Sequence, residues 1–183
     1  VPFVRVDLYT DAGVKDRVAT WGAVCAPPGR GHVERSGRMR DNLADTTAAE
    51  LRAMANGLHA MIRAGVIERG DEVVIRCDNF RAVDVVNGAH VPPKTRERHG
   101  IAVRKLKAMA IEAGIVLIAK RVNGHQPITS EDPHAPFNRR ADALCRAARE
   151  GAQPKPRKIM VAPPKVSAAR KALAVARKLE GRA

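Results

Sequence analysis

The spacing of apolar residues changes once in the first third of this chain, and that change limits the folds open to it. Over Val4 to Thr10 they alternate, with Val4, Val6 and Leu8 on one face of an extended segment. Val18 to Cys25 has strand composition and His32 to Ser36 reads as a third short strand, so the short Gly/Pro turns between them predict antiparallel pairing. From Thr47 the period becomes helical: Leu51, Met54, Ala55, Leu58 and Ile62 share one side of a helix expected to run to Arg63. "DEVVIRC" then reads as a buried strand, followed by a helix from Asn79 to Asn87. "HVPPKTRE" reads as a loop broken by two prolines. Beyond it come a basic helix from Arg98 to Ala113, the strand "GIVLIAKRV", a polar loop and a last helix from Phe137 to Glu150. That order predicts an α/β domain over residues 1–150, a five-stranded mixed sheet with helices on both faces.

Composition breaks near Gly151, where "GAQPKPRKIMVAPPKV" brings prolines and lysines that cannot continue a packed domain. We expect a linker over 151–165 and a basic amphipathic tail helix over 166–183, with Arg170, Lys171, Arg177 and Lys178 opposite Ala172, Leu173, Ala176 and Leu179. From Gly151 to the end there are nine basic residues and one acid, a net of +8 out of the chain's +14. Such a balance favours polyanionic partners, and the tail is expected either to track nucleic-acid phosphates or to rest its Ala/Leu side on the domain.

No run approaches the ~18 apolar residues of a membrane span, so we expect no membrane partner and a soluble, cytoplasmic monomer. The three cysteines, Cys25, Cys77 and Cys145, are widely spaced and form no CxxC pair, which fits small buried hydrophobes in a reducing compartment.

Four acids stand at or near element ends: Asp11 by the end of the first strand ahead of a turn expected at Ala12-Gly13, Glu50 opening the first helix, Asp78 ending the fourth strand and Asp142 one turn into the last helix. Each has an ordinary structural explanation. Thr47 and Glu50 form the Thr-x-x-Glu of a capping box, Asp78 can cap the next helix, Asp11 can start a turn and Asp142 can face water. Together they are harder to explain so. If the first and fourth strands are parallel neighbours, Asp11 and Asp78 emerge at one carboxyl edge, where open α/β sheets place ligands, and the first helix brings Glu50 there. Clustered carboxylates repel one another unless cations lie between them, and oxygen-only donors suit Mg2+ or Mn2+. Two such ions about 4 Å apart can serve the hydrolysis of a phosphodiester.

These residues carry a resemblance. "YTDAG" resembles the strand Asp motif of the type I ribonuclease H family, "TTAAEL" its helix-start Glu motif, "IRCDN" its second Asp, "NRRADALCRAA" its N-x-x-x-D last helix and "RVNGH" the entry to its histidine loop. The resemblance covers about Val4 to Glu150 and implies a ribonuclease H-like fold that cleaves the RNA strand of RNA/DNA hybrids with two Mg2+ ions. It further implies that Asp11, Glu50, Asp78 and Asp142 are metal-binding carboxylates, Asp11 bridging both ions, and that His125 assists proton transfer or product release.

Three departures are visible. Ala12-Gly13 replaces the usual Gly-Ser. "NGAHVPPKTRERHGIAVRKLKAM" lacks a tryptophan-bearing basic protrusion, for which Arg96, Arg98, Arg104, Lys105 and Lys107 offer an alternative basic face. The loop "QPITSEDPHAP" is longer than expected and adds His134 as a second candidate for the histidine. Two other functions remain open from sequence: another nuclease on the same fold, such as a junction resolvase or strand-transfer core, and a non-catalytic basic module that binds hybrid or duplex.

Overall fold

The computed structural model describes residues 4–40, 45–90 and 93–151. The linker and tail expected beyond Gly151 lie outside the described residues.

Three antiparallel strands come first: β1 (Arg5–Lys15), β2 (Val18–Ala26) and β3 (Val33–Arg38). Helix α1 (Thr46–Arg63) crosses to β4 (Glu72–Cys77), and α2 (Phe80–Val86) and α3 (Pro93–Ala113) lead to β5 (Val116–Arg121) and α4 (Ala135–Glu150). The sheet order is β3-β2-β1-β4-β5, with β4 parallel to both β1 and β5. The parallel pairing of the first and fourth strands is therefore as expected.

Alternation along β1 and β2 sorts the helices onto two faces. Val6, Leu8, Ala23 and Cys25 point into the larger core with Leu51, Met54 and Leu58 of α1, Ala82 of α2 and Leu106 of α3. Tyr9 and Val24 point the other way and meet Ala141 and Leu144 of α4. The sheet thus carries three helices on one face and one on the other. No helix among the described residues is long and apolar enough to cross a membrane.

Several boundaries differ from the sequence expectation, each for a local reason. β1 does not turn at Ala12-Gly13; it stays paired with β2 as far as Lys15, and the turn is made by Asp16 and Arg17, both with positive φ (50° and 62°). Two consecutive residues in that conformation match the right-handed twist of a tight hairpin. The two prolines do not keep α3 from starting at Pro93, because proline is tolerated in a helix's first turn, where its missing N–H has no intrahelical partner. α4 begins at Ala135 and ends where Gly151 adopts φ 73°, the left-handed cap that closes a helix.

Candidate functional site

Asp11 sits inside β1, opposite Gly22 of β2, rather than at a strand end. By the alternation of β1 it faces α4, like Tyr9. Gly22 is what lets α4 come so close: a Cβ there would collide with the Ala141 carbonyl oxygen and crowd the Cys145 N–H and the Leu144 side chain. Asp142 follows Ala141 directly, two turns into α4, and its charge acts on Asp11.

Glu50 reaches the same place from the opposite face. The expected capping box is absent: Asp45 is the N-cap of α1, its Oδ1 accepting the Thr47 N–H at 2.9 Å and the Ala48 N–H at 3.3 Å. Glu50 is therefore free of a capping duty. It is 6% exposed, accepts the Ala12 backbone N–H and takes a hydrogen bond from the Cys77 thiol at 3.4 Å. Asp78 is not a cap either, since Asn79 caps α2 through its Oδ1 and the Ala82 N–H at 3.1 Å. Donor atoms of Glu50, Cys77 and Asp78 all lie within 4.8 Å of one another.

Electrostatics join the two halves. Burial first, then the charges of Asp78 and Asp142, push the Asp11 carboxyl up to about 7, against the pull of Arg146 and of the polar Cys145 thiol. Glu50 is raised by burial first and by Asp11 and Asp78 next, and is eased by its hydrogen bonds from Cys77 and Ala12. Cys77 is itself raised, by burial and then by Glu50, so it remains a thiol and donates. The acids thus crowd oxygen donors whose ionisation a cation would favour, a set that fits hard divalent cations such as Mg2+ or Mn2+. Arg146 tempers the cluster from one side, pairing with Asp142 at 2.8 Å across one turn of α4.

The two histidines are separated by the structure. His134 stands at the N-terminus of α4, its Nδ1 2.8 Å from the Tyr9 hydroxyl, while its backbone N–H donates to Asp132 Oδ1 at 2.9 Å. It is engaged two turns of α4 away from Asp142. His125 is exposed, with φ 50°, and follows Gly124, which lies directly on Asp78. A Cβ at position 124 would collide with a carboxylate oxygen of Asp78. Gly124→Ala is therefore expected to displace that carboxylate and lower activity by roughly 10²-fold, the scale on which a misplacement of about 1 Å acts, with little change in melting temperature. Parallel activity and melting measurements check it, and wild-type activity in the variant would contradict it.

Two groups at the site escaped the sequence reading: the thiols of Cys77 and Cys145. All three cysteines are buried and unpaired, as expected, but Cys77 also donates to Glu50, while Cys145 donates to the Thr20 carbonyl at 3.4 Å and acts on Asp11. The signal lay in their positions, one beside Asp78 and the other three residues after Asp142. Asp7, by contrast, accepts from Arg76 Nε at 2.8 Å and belongs to the sheet's own ion pairing.

No protein-family model matches the chain, and no curated protein matches it. Solved structures do. The RNase H1 of the halophilic archaeon Halobacterium salinarum superposes with a TM-score of 0.63 at 20% identity, covering 81% of this chain and 99% of that one. The N-terminal RNase H domain of a Mycobacterium tuberculosis protein, solved as a fusion with maltose binding protein, gives 0.60 at 19% identity, covering 81% and 95%. LC11-RNase H1 in complex with an RNA/DNA hybrid gives 0.61 at 20% identity, covering 80% and 97%. At such identities the likeness is one of architecture, and on it the chain has the ribonuclease H fold.

Proposed function

We propose that this chain is an endonuclease that hydrolyses the RNA strand of RNA/DNA hybrids, using two divalent cations, Mg2+ or Mn2+, held by Asp11, Glu50, Asp78 and Asp142. The observation that carries this is that Asp11 of β1, Glu50 of α1, Asp78 just past β4 and Asp142 of α4 act on one another's charge, in a chain with a net charge of +14. Divalent cations bound there supply neutralisation of the scissile phosphate and a water acidified enough to attack it.

The chain's own residues do the rest. Asp11 responds to Asp78 and Asp142, while Glu50 responds to Asp11 and Asp78, so the four carboxylates form one electrostatic group that would hold the cations together. Arg146 partly offsets the rise at the Asp11 end. His125, exposed next to the glycine that rests on Asp78, is assigned to pass a proton to the leaving oxygen or to assist product release.

For the substrate, one of the similar structures holds an RNA/DNA hybrid. A hybrid offers 2′-hydroxyls in a wide, shallow minor groove and phosphates that a basic surface grips without regard to sequence. With 3% aromatic residues this chain has little means of stacking on splayed single-strand bases. Arg98, Arg104, Lys105 and Lys107 are exposed on α3 and extend the phosphate-binding surface. The basic tail is assigned the same duty on its charge alone.

The test is a panel of labelled RNA/DNA hybrid, duplex DNA and four-way junction, each incubated with and without Mg2+. Mg2+-dependent loss of the RNA strand in the hybrid alone is expected. Cutting of the junction, or hybrid binding with no cleavage at any Mg2+ concentration, would overturn the proposal.

A further inference from the structure

Helix α3 turns one stripe of side chains into the core. Ala102, Leu106 and Ala110 recur four residues apart along it and are buried, and His99, three residues before Ala102, continues the stripe at 6% exposure. An apolar residue would suit that position, whereas a buried imidazole requires a polar partner. His99 finds one on another element: its Nε2 donates to Asp45 Oδ2 at 2.7 Å. Its Nδ1 has no partner among the described residues, so the tie to Asp45 is its single polar contact there.

Asp45 uses its other oxygen differently. Oδ1 accepts the Thr47 and Ala48 N–H groups, donors that the first turn of α1 leaves without intrahelical partners. Burial opposes the charge on Asp45, but hydrogen bonds from His99, Ala48 and Thr47 outweigh it and hold the carboxyl below its ordinary range. One ionised side chain thus fixes the start of α1 and fastens it to α3. Glu50 stands five residues further along α1, buried and pushed against by Asp11 and Asp78. A helix start free to shift would let that repulsion carry Glu50 away from the cluster.

We infer that His99 is a positioning residue for the carboxylate site: through Asp45 it anchors the first turn of α1 and so holds Glu50 among the other acids. The inference rests on the proposal that these acids bind divalent cations. Removing a group bonded directly to a metal ligand commonly weakens metal affinity 10- to 100-fold, and His99, which acts one step further back through Asp45, is expected at the lower end of that range.

Four proteins test it: the wild type, His99→Ala, His99→Gln and Leu106→Ala, each melted across an Mg2+ titration and assayed on hybrid over the same range. In the wild type Mg2+ raises the melting temperature, as any ligand of the folded state does. His99→Ala shifts the Mg2+ midpoint upward by about tenfold. His99→Gln, whose amide N–H can stand where Nε2–H stood, brings the midpoint back toward the wild-type value. Leu106→Ala opens a cavity in the same stripe and lowers the metal-free melting temperature without moving the midpoint. If His99→Ala also leaves the midpoint unmoved, or if Gln fails where Ala fails, the inference is wrong. If the midpoints shift as expected but no hybrid is cut, the hybrid proposal falls and the inference stands. If Mg2+ leaves the wild-type melting temperature unchanged, both fall.

Discussion

Asp11→Asn is expected to abolish cleavage and, in the absence of divalent cations, to make the protein more stable at neutral pH. The two effects share one cause. Burial and the charges of Asp78 and Asp142 raise the Asp11 carboxyl from 3.8 to about 7, so the folded chain holds a proton there that the unfolded chain releases near pH 4. Between those values the native state binds more protons than the unfolded state, and stability falls as pH rises. The penalty is absent below pH 4, grows through the interval and is complete above pH 7, where it is on the order of 4 kcal/mol. An asparagine has no such titration. The variant should therefore melt about 5–10 °C above the metal-free wild type at pH 8 and level with it near pH 4. Mg2+ should close the gap by stabilising the wild type alone. Activity should drop roughly 10³-fold or more, the scale seen when one group that stabilises developing charge is removed. Melting curves at the two pH values, with and without Mg2+, together with hybrid cleavage rates, check both halves. A variant that melts below the wild type at pH 8 without metal would show that Asp11 is not under the strain described.

Much of the architecture could be read from the chain because alternation in β1 and helical spacing in α1 agree with what those segments finally bury. Of the four acids, only Glu50 and Asp78 stand near the points where the period changes; Asp11 lies inside β1 and Asp142 two turns into α4, so the motif resemblance rather than the periodicity singles these two out. What could not be read was decided by tertiary contact. Gly13 looked like half of a turn, yet it lies in extended β1 paired with Thr20, where a Cβ would meet Arg149 and Cys145 of α4. "ADTT" offers Asp45, Thr46 and Thr47 as caps in succession, and the choice fell to Asp45, which also has His99 as a partner on α3. A histidine in a basic helix gives no hint of that pairing. The thiols of Cys77 and Cys145 read as small hydrophobes, which their burial bears out, while their donation to Glu50 and to the Thr20 carbonyl appears only once the strands and helices are assembled. His125 comes ahead of His134 through the match of "RVNGH", and only the assembled fold shows that His134 is engaged with the Tyr9 hydroxyl.

Gly22→Ala, a change of one methyl group in β2, is expected to remove most activity and to cost stability as well. The new Cβ meets the Ala141 carbonyl and the Cys145 N–H, both backbone atoms that cannot swing aside as a side chain can. Relief must come from moving α4 off the sheet. Overpacking of this sort costs about 1–3 kcal/mol, or a melting temperature lower by roughly 3–10 °C for a fold of this size. The helix should lift without the domain unfolding. Its own cluster with the sheet is small, Tyr9, Val24, Ala141 and Leu144, while the larger core lies on the other face. It also stays tethered at both ends of its contact with β3: Arg140 holds Glu34 with two bonds of 2.7 Å, and Arg38 donates to the Ala148 and Arg149 carbonyls. Asp142 moves with the helix, and a displacement of about 1 Å at a reacting centre is worth about 10²-fold in rate. Gly13→Ala is the control. Its Cβ would meet the Arg149 guanidinium at 2.5 Å, the far end of a flexible side chain that can turn away, and the Cys145 sulfur at 3.2 Å, so both activity and melting temperature should suffer less. If the two variants lose equal activity, the seat of α4 on Gly22 is not what brings Asp142 to Asp11.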